Sequence, residues 1–291
     1  MLGILEEWAD GLLFIRTEEG RLVEIPQSLV VSGKPVPPRP SRFSRLSADE
    51  VAQRCTSFFR PTDVDHIGDW VLRHSTNAIN TRPNSFLPIG DPGLPFDEAL
   101  ARVRRFYAAR ERPAVAQAIV GSVPHQELDA RGWNQFRPDE ADADVLLTGI
   151  AALARKLAEV DIDRVIHQDA ISYDWLIDNP RAQQDYEAVA VSLDLETATF
   201  TSIVVDGERV ATARANLSDG WALFSDLKVR ADHRRRGHAR TLMAAITEWA
   251  AERGATAMAL QVLSDNEPAL ALYRDLGFER HHSYRYLIDN N

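Results

Sequence analysis

The stretch Asp226-Leu227-Lys228-Val229-Arg230-Ala231-Asp232-His233-Arg234-Arg235-Arg236-Gly237-His238-Ala239-Arg240 decides the reading of this chain. It begins in a β-prone run, Leu223 to Val229, passes through a turn and opens a helix near Gly237. A helix start leaves its first backbone N–H groups without internal partners, and the macrodipole adds partial positive charge there. Gly237 has no Cβ, so a ligand can come close to the backbone, and Ala239 keeps the next approach small. Arg234, Arg235, Arg236 and Arg240 surround the same opening with charge. These features predict a turn that binds a phosphate or pyrophosphate. A merely solvated basic turn would show the charges without the strand–turn–glycine–helix order that frames them.

The flanking sequence supplies the frame. Thr199 to Val205 and Arg209 to Asn216 surround Asp206-Gly207, a strong hairpin signal. Ala239 to Arg253 is read as a helix, with Leu242, Met243, Ile246, Trp249 and Ala250 on one face and Gly254 as its stop. Ala255 to Val262 reads as a buried strand, and Pro268 opens a short helix that Gly277 closes before Phe278.

A similar order appears earlier with weaker signals. Ser47-Ala48-Asp49-Glu50 has capping-box spacing. Trp70 to Arg73, Ser85 to Ile89 and Ala114 to Val120 read as strands. Asp97 to Arg110 reads as an amphipathic helix, and Gln126 to Ala130 as a short helix before Gly132-Trp133. The distance from helix end to glycine–aromatic pair is 22 residues here (Arg110 to Gly132) and 24 in the second half (Arg253 to Gly277). This predicts two copies of one αβ layout, although any αβ chain alternates in this way. The first forty residues hold a hairpin, 12–17 with 21–25, and a proline-rich exit at 33–40. The expected organisation is a small β unit (1–40), an αβ half (41–145) and a second αβ half (146–291).

Composition bounds the function. The chain has 291 residues, of which 45% are hydrophobic and 26% charged, as in ordinary globular proteins. Lys plus Arg is 33 against 43 Asp plus Glu, a net charge of −10. That balance speaks against nucleic-acid binding, which relies on neutralising phosphates. The single cysteine, Cys55, excludes an internal disulfide and a cysteine zinc site. The absence of an apolar run of about 18 residues argues against a membrane span. The acidic N-terminus, with Glu6, Glu7 and Asp10, is unlike a signal peptide. A reducing, cytoplasmic setting is the expectation.

The sequence resembles the GNAT superfamily of acyl-CoA-dependent N-acetyltransferases. Arg234-Arg235-Arg236-Gly237-His238-Ala239 fits its Arg/Gln-x-x-Gly-x-Gly/Ala loop. Gln261-Val262, Asn266, Ala269, Leu272-Tyr273 and Leu276-Gly277-Phe278 resemble its second block. Thr81-Arg82-Pro83-Asn84-Ser85, Arg105 to Ala109, Ala130 to Trp133 and His281 to Tyr284 resemble a branch known mainly from actinobacteria, with an SH3-like N-terminal piece, a degenerate GNAT-like half and a catalytic GNAT domain. The implied fold is mixed α/β, a central sheet flanked by helices and duplicated.

The resemblance implies acetyl-CoA as co-substrate and a primary amine as acceptor: a protein lysine, a polyamine or another small amine. Alternatives are a non-catalytic acyl-CoA-binding sensor or scaffold and a glutamate-type amino-acid N-acetyltransferase. Leu227, Lys228, Val229, Arg234, Arg235, Arg236, Gly237, His238, Ala239, Arg240, Asn266 and Tyr273 are expected at the cofactor. Val229 would offer an oxyanion N–H, and Tyr273 would protonate the leaving thiolate. The family's glutamate base would fall at Gln261, which cannot act as one. Asp226 and a water chain remain candidates. The loop 88–95 has prolines and no arginine cluster, so no CoA is expected in the first half. His281 and His282, adjacent on a strand, should face opposite ways. With His233 and His238 taken as polar lining, no metal is expected. Asp169, Asp174, Asp178, Asp185 and Glu187, with Tyr173, Trp175 and Tyr186, suggest a basic acceptor. A monomer or homodimer is expected.

Overall fold

The computed structural model describes residues 3–17, 21–32, 43–76, 80–177, 179 and 182–290. The proline-rich exit lies outside them. Residues 1–40 and 41–291 form two units. In the first, β1 (Gly3–Ala9), β2 (Leu12–Thr17) and β3 (Leu22–Pro26) make an antiparallel sheet. Asp10 and Gly11 both take positive φ, 52° and 73°, which suits the tight turn between β1 and β2.

In the second unit, α1 (Ala48–Arg54) starts at Ser47. The Ser47 hydroxyl accepts from the Glu50 N–H at 3.1 Å, and the Glu50 carboxylate accepts from the Ser47 N–H at 2.7 Å. Then come β4 (Asp63–Ile67), β5 (Trp70–His74), β6 (Phe86–Leu87), α2 (Phe96–Ala108), β7 (Val115–Ile119), α3 (Val123–Ala130) and β8 (Asn134–Gln135). The chain continues through β9 (Ala143–Gly149), α4 (Ile150–Leu157), β10 (Val165–Gln168), α5 (Tyr173–Leu176) and α6 (Tyr186–Leu193). It ends with β11 (Ala198–Val205), β12 (Glu208–Ser218), β13 (Trp221–Val229), α7 (His238–Glu252), β14 (Ala257–Leu263), α8 (Glu267–Asp275) and β15 (Glu279–Ile288).

β4 to β15 form one twelve-stranded sheet in the order β10-β11-β12-β13-β14-β9-β15-β7-β6-β5-β4, with β8 beside β15. The order strand–strand–strand–helix–strand–helix–strand occurs twice, from β4 to β8 and from β11 to β15. β15 serves both runs: Glu279 to Tyr284 pair with β9, and Tyr284 to Ile288 pair with β7. The expected limit at 145/146 falls inside β9, within this continuous sheet.

Strand alternation divides the core of the second run. Met258, Leu260 and Val262 join the cluster that contains Leu242, Ile246 and Leu276 of the helical segments. Ala257 and Ala259 join the cluster that contains Phe58, Trp175 and Phe200. β13 and β14 run parallel but pair only from Trp221–Phe224 to Ala257–Leu260. Beyond those residues the two strands splay, and the main chain of 225–229 loses its neighbour on that side.

Candidate functional site

A bulge shapes the free end of β13. Thr212 pairs with Lys228, but Arg214 pairs with Ser225, so β13 carries one extra residue. Asp226 sits there at φ 55°. The Arg230 N–H donates to the Val210 carbonyl at 2.9 Å, so Arg230 faces β12. Val229, one residue earlier, turns its N–H and C=O the other way, toward the side that β14 has left open. The Arg234 Nε donates to the Val229 carbonyl at 3.3 Å. The Val229 N–H is thereby aimed into the splay.

The turn after β13 is built for an anion. Arg235 at φ 63° and Gly237 at φ 83° are both left-handed, a backbone course that gathers N–H groups into a concave nest. Gly237 caps α7 without a side-chain hydrogen bond. Thr241 donates to the Gly237 carbonyl at 3.1 Å, so the N–H groups of His238, Ala239 and Arg240 precede that helical bond. A Cβ on Gly237 would meet nothing within 4 Å, leaving open space above the nest.

Leu227, Lys228, Val229, Arg234, Arg235, Gly237, His238, Ala239, Arg240 and Asn266 all line one cleft of about 930 Å³. Arg240 also pairs with Asp275 of α8. Asn266 serves the helix as well as the cleft. Its side chain accepts from the Ala269 N–H at 3.3 Å and caps α8. His238 is 4% exposed, and neither ring nitrogen has a hydrogen-bond partner among the described residues. Burial, then the neighbouring Arg164, lowers its pKa below the ordinary imidazole value. Among the described residues no group of three or more His, Cys, Asp or Glu is placed to hold a metal.

Two expected residues lie elsewhere. Arg236 is exposed and outside the cleft lining. Tyr273 is 6% exposed, stacks edge-on to Phe278 at 5.6 Å and belongs to the core rather than the lining. α8 presents Pro268, Ala269, Ala271 and Leu272 to the cleft and turns Tyr273 inward. Burial pushes the Tyr273 phenol up to about 12.

Three further residues line the cleft: Arg209, which the sequence did not mark, and Trp175 and Asp226, which it did. Arg209 reaches it from β12, and its buried Nε has no hydrogen-bond partner among the described residues. Trp175 reaches it from α5 and is fixed by donation from Nε1 to the Thr201 carbonyl at 3.0 Å. Asp226 is the carboxylate of the lining among the described residues. The Ser225 hydroxyl donates to it at 2.9 Å and accepts from Arg214 Nη1 at 3.3 Å. Arg214 is fully buried, and burial lowers its pKa to about 10 against the pull of Asp226 and Asp194.

Among the described residues, the acids between β10 and α6 stand outside the lining of the cleft. Asp169, Asp174 and Glu187 are exposed outside its lining, Asp185 caps α6, and Asp178 lies outside the described residues. His281 and His282 do not face opposite ways. A bulge between Arg280 and His282 brings their Nδ1 atoms to 2.9 Å. In the first half, amides of the loop before α2 are taken by carboxylates: Asp49 for Gly90, Asp69 for Asp91 and Asp91 for Gly93.

Residues 59–287 match the family described as "Probable histone acetyltransferase Rv0428c C-terminal", and the chain belongs to that family. It is 33% identical over 237 residues to "Uncharacterized N-acetyltransferase YobR" of Bacillus subtilis (strain 168), covering 76% of this chain and 90% of that protein. A GCN5-related N-acetyltransferase from Kribbella flavida superposes with a TM-score of 0.59 at 20% identity, over 84% of this chain and 96% of its own. A tandem GNAT protein from the clavulanic acid biosynthesis pathway gives 0.53 at 18% identity, over 69% and 72%. The fold is that of the GNAT superfamily, and the protein is an acyltransferase.

Proposed function

We propose that the protein transfers an acetyl group from acetyl-CoA to a primary amine of a small molecule or a protein. The observation that carries this reading is the splay of β13 from β14, which opens beside the amide nest at the start of α7. The nest, Arg234 and Arg235 suit a pyrophosphate. The exposed main-chain edge of β13 suits the amides of a pantetheine arm, and Gly237 leaves room for both. Bound acetyl-CoA supplies the thioester that is the acyl donor.

The chain's own groups then divide the work. The Val229 N–H stabilises negative charge on the carbonyl oxygen. Asp226, held by Ser225, accepts the amine proton directly or through water. An amine of pKa near ~10.4 must lose that proton before or during attack. Tyr273 stays protonated across the neutral range and, although it stands outside the cleft lining, is the residue assigned to protonate the departing sulfur. The first half acts as a wall of the acceptor site, with its own loop amides already occupied. The test is thiol release from acetyl-CoA in the presence of amines. Amine-dependent release is expected. Tight acetyl-CoA binding with no release for any class of amine would instead favour a sensor without turnover.

A further inference from the structure

A second cavity, of about 220 Å³, opens where the two halves of the large sheet meet. Phe59, Arg82 and Arg137 bound it from the first half, and Gln261 and Tyr284 from the second. Gln261 directly follows Leu260, where β14 leaves its pairing with β13. It continues the alternation of Ala257 and Ala259, so it opens on the sheet face that carries Trp175. The Gln261 end of this cavity therefore borders the splay that would present the thioester, while Tyr284 on β15 stands two strands beyond β14.

The electrostatics of the cavity are unbalanced around one residue. Arg137 pairs with Glu140 at 3.2 Å, and Arg285 pairs with Asp142 at 2.7 Å. Arg82 pairs with no carboxylate among the described residues. Its guanidinium lies 5.6 Å and 5.1 Å from the ring centres of Phe58 and Phe59. Its Nη2 donates to the Tyr284 hydroxyl at 2.9 Å, which donates in turn to Gln261 Oε1 at 3.2 Å. The Arg82 Nε is buried without a hydrogen-bond partner among the described residues. A cation held among rings without a counter-ion is costly, and a carboxylate is the group whose geometry matches the guanidinium fork.

We propose that this cavity is the acceptor site and that the acceptor amine also carries a carboxylate, which Arg82 holds with Tyr284. The proposal rests on the transferase reading above and reverses the expectation of a purely basic acceptor. The transfer balances as usual. The nitrogen–carbonyl bond forms and the carbon–sulfur bond breaks. One amine proton leaves to Asp226 or water, and the sulfur takes up one proton.

The experiment compares amines with and without the carboxylate: L-lysine against 1,5-diaminopentane, and L-ornithine against 1,4-diaminobutane. Binding is read by calorimetry at saturating coenzyme A, and turnover by thiol release from acetyl-CoA. The carboxylate-bearing member should bind at least about tenfold tighter. Arg82→Gln should remove that preference while leaving acetyl-CoA affinity unchanged. Arg82→Lys, which keeps the charge but not the fork, should weaken it and serves if Arg82→Gln does not fold. Equal affinities within each pair, or a preference that survives in the Arg82 variants, would overturn the proposal. Arg82-dependent binding without thiol release would retain the carboxylate site and defeat the transferase reading instead.

Discussion

Gly237 combines a φ of 83° with open space where a Cβ would project, and both properties suit the proposed pyrophosphate site. A β-branched replacement would strain the backbone as well as obstruct a ligand, so Gly237→Ala is the cleaner substitution. It should cost about 1–2 kcal/mol of stability and weaken acetyl-CoA binding by about tenfold, as read by calorimetry on the folded variant. Tyr273→Phe separates chemistry from packing. The hydroxyl has no hydrogen-bond partner among the described residues, so the melting temperature should hardly move. Turnover should fall by ~10²–10⁴-fold at unchanged acetyl-CoA affinity; wild-type turnover would leave Tyr273 as core alone. The glycine and the arginines of the turn were legible because their chemistry is local. The place of Arg209 was not, because it enters the cleft from β12 and no motif marks it, whereas Trp175 was marked among the aromatics of its segment and does reach the cleft. For the acids around Asp174 the sequence showed the charge but not the facing: Asp169, Asp174 and Glu187 stand exposed outside the cleft lining.

At the level of elements, Asn266 caps α8 and also lines the cleft proposed for acetyl-CoA. Asn266→Ala should lose about 1 kcal/mol with the cap and also weaken acetyl-CoA binding. Asn266→Ser should keep the stability, since serine caps as well, and still lose affinity. Chemical denaturation and calorimetry on both variants separate the two roles. β15 carries a pH effect. Burial, then the neighbouring His281, lowers the pKa of His282 to about 4. An unfolded histidine titrates near ~6.5, so between those values the unfolded chain binds more protons and folding weakens as pH falls. His74, His167 and His238 are lowered as well and add to the same slope. His282→Gln should therefore reduce the difference in urea midpoint between pH 7 and pH 5. The strands near the turn were readable from β-prone runs and Asp206-Gly207. The bridging pairing of β15 was not, because a register with two distant strands leaves no local mark, and neither does the bulge that sets His281 against His282.

Across the whole molecule, one run of elements repeats within a single sheet, but the two runs differ where a cofactor would bind. The second run opens its strands beside an arginine-rich nest at the start of α7. The first enters α2 after Pro95, and carboxylates of the protein already hold the amides of its loop. The order of elements and the glycine–aromatic endings showed the likeness of the halves in the sequence, and the prolines of 88–95 showed their difference. The joining of both halves through β15 required the structure. The measurement that tests this account most directly is the stoichiometry of acetyl-CoA binding, titrated by calorimetry into the full chain and into Gly237→Ala. One molecule bound per chain, with affinity lost in the variant, is the predicted result. Two molecules per chain, or binding unchanged in Gly237→Ala, would contradict it.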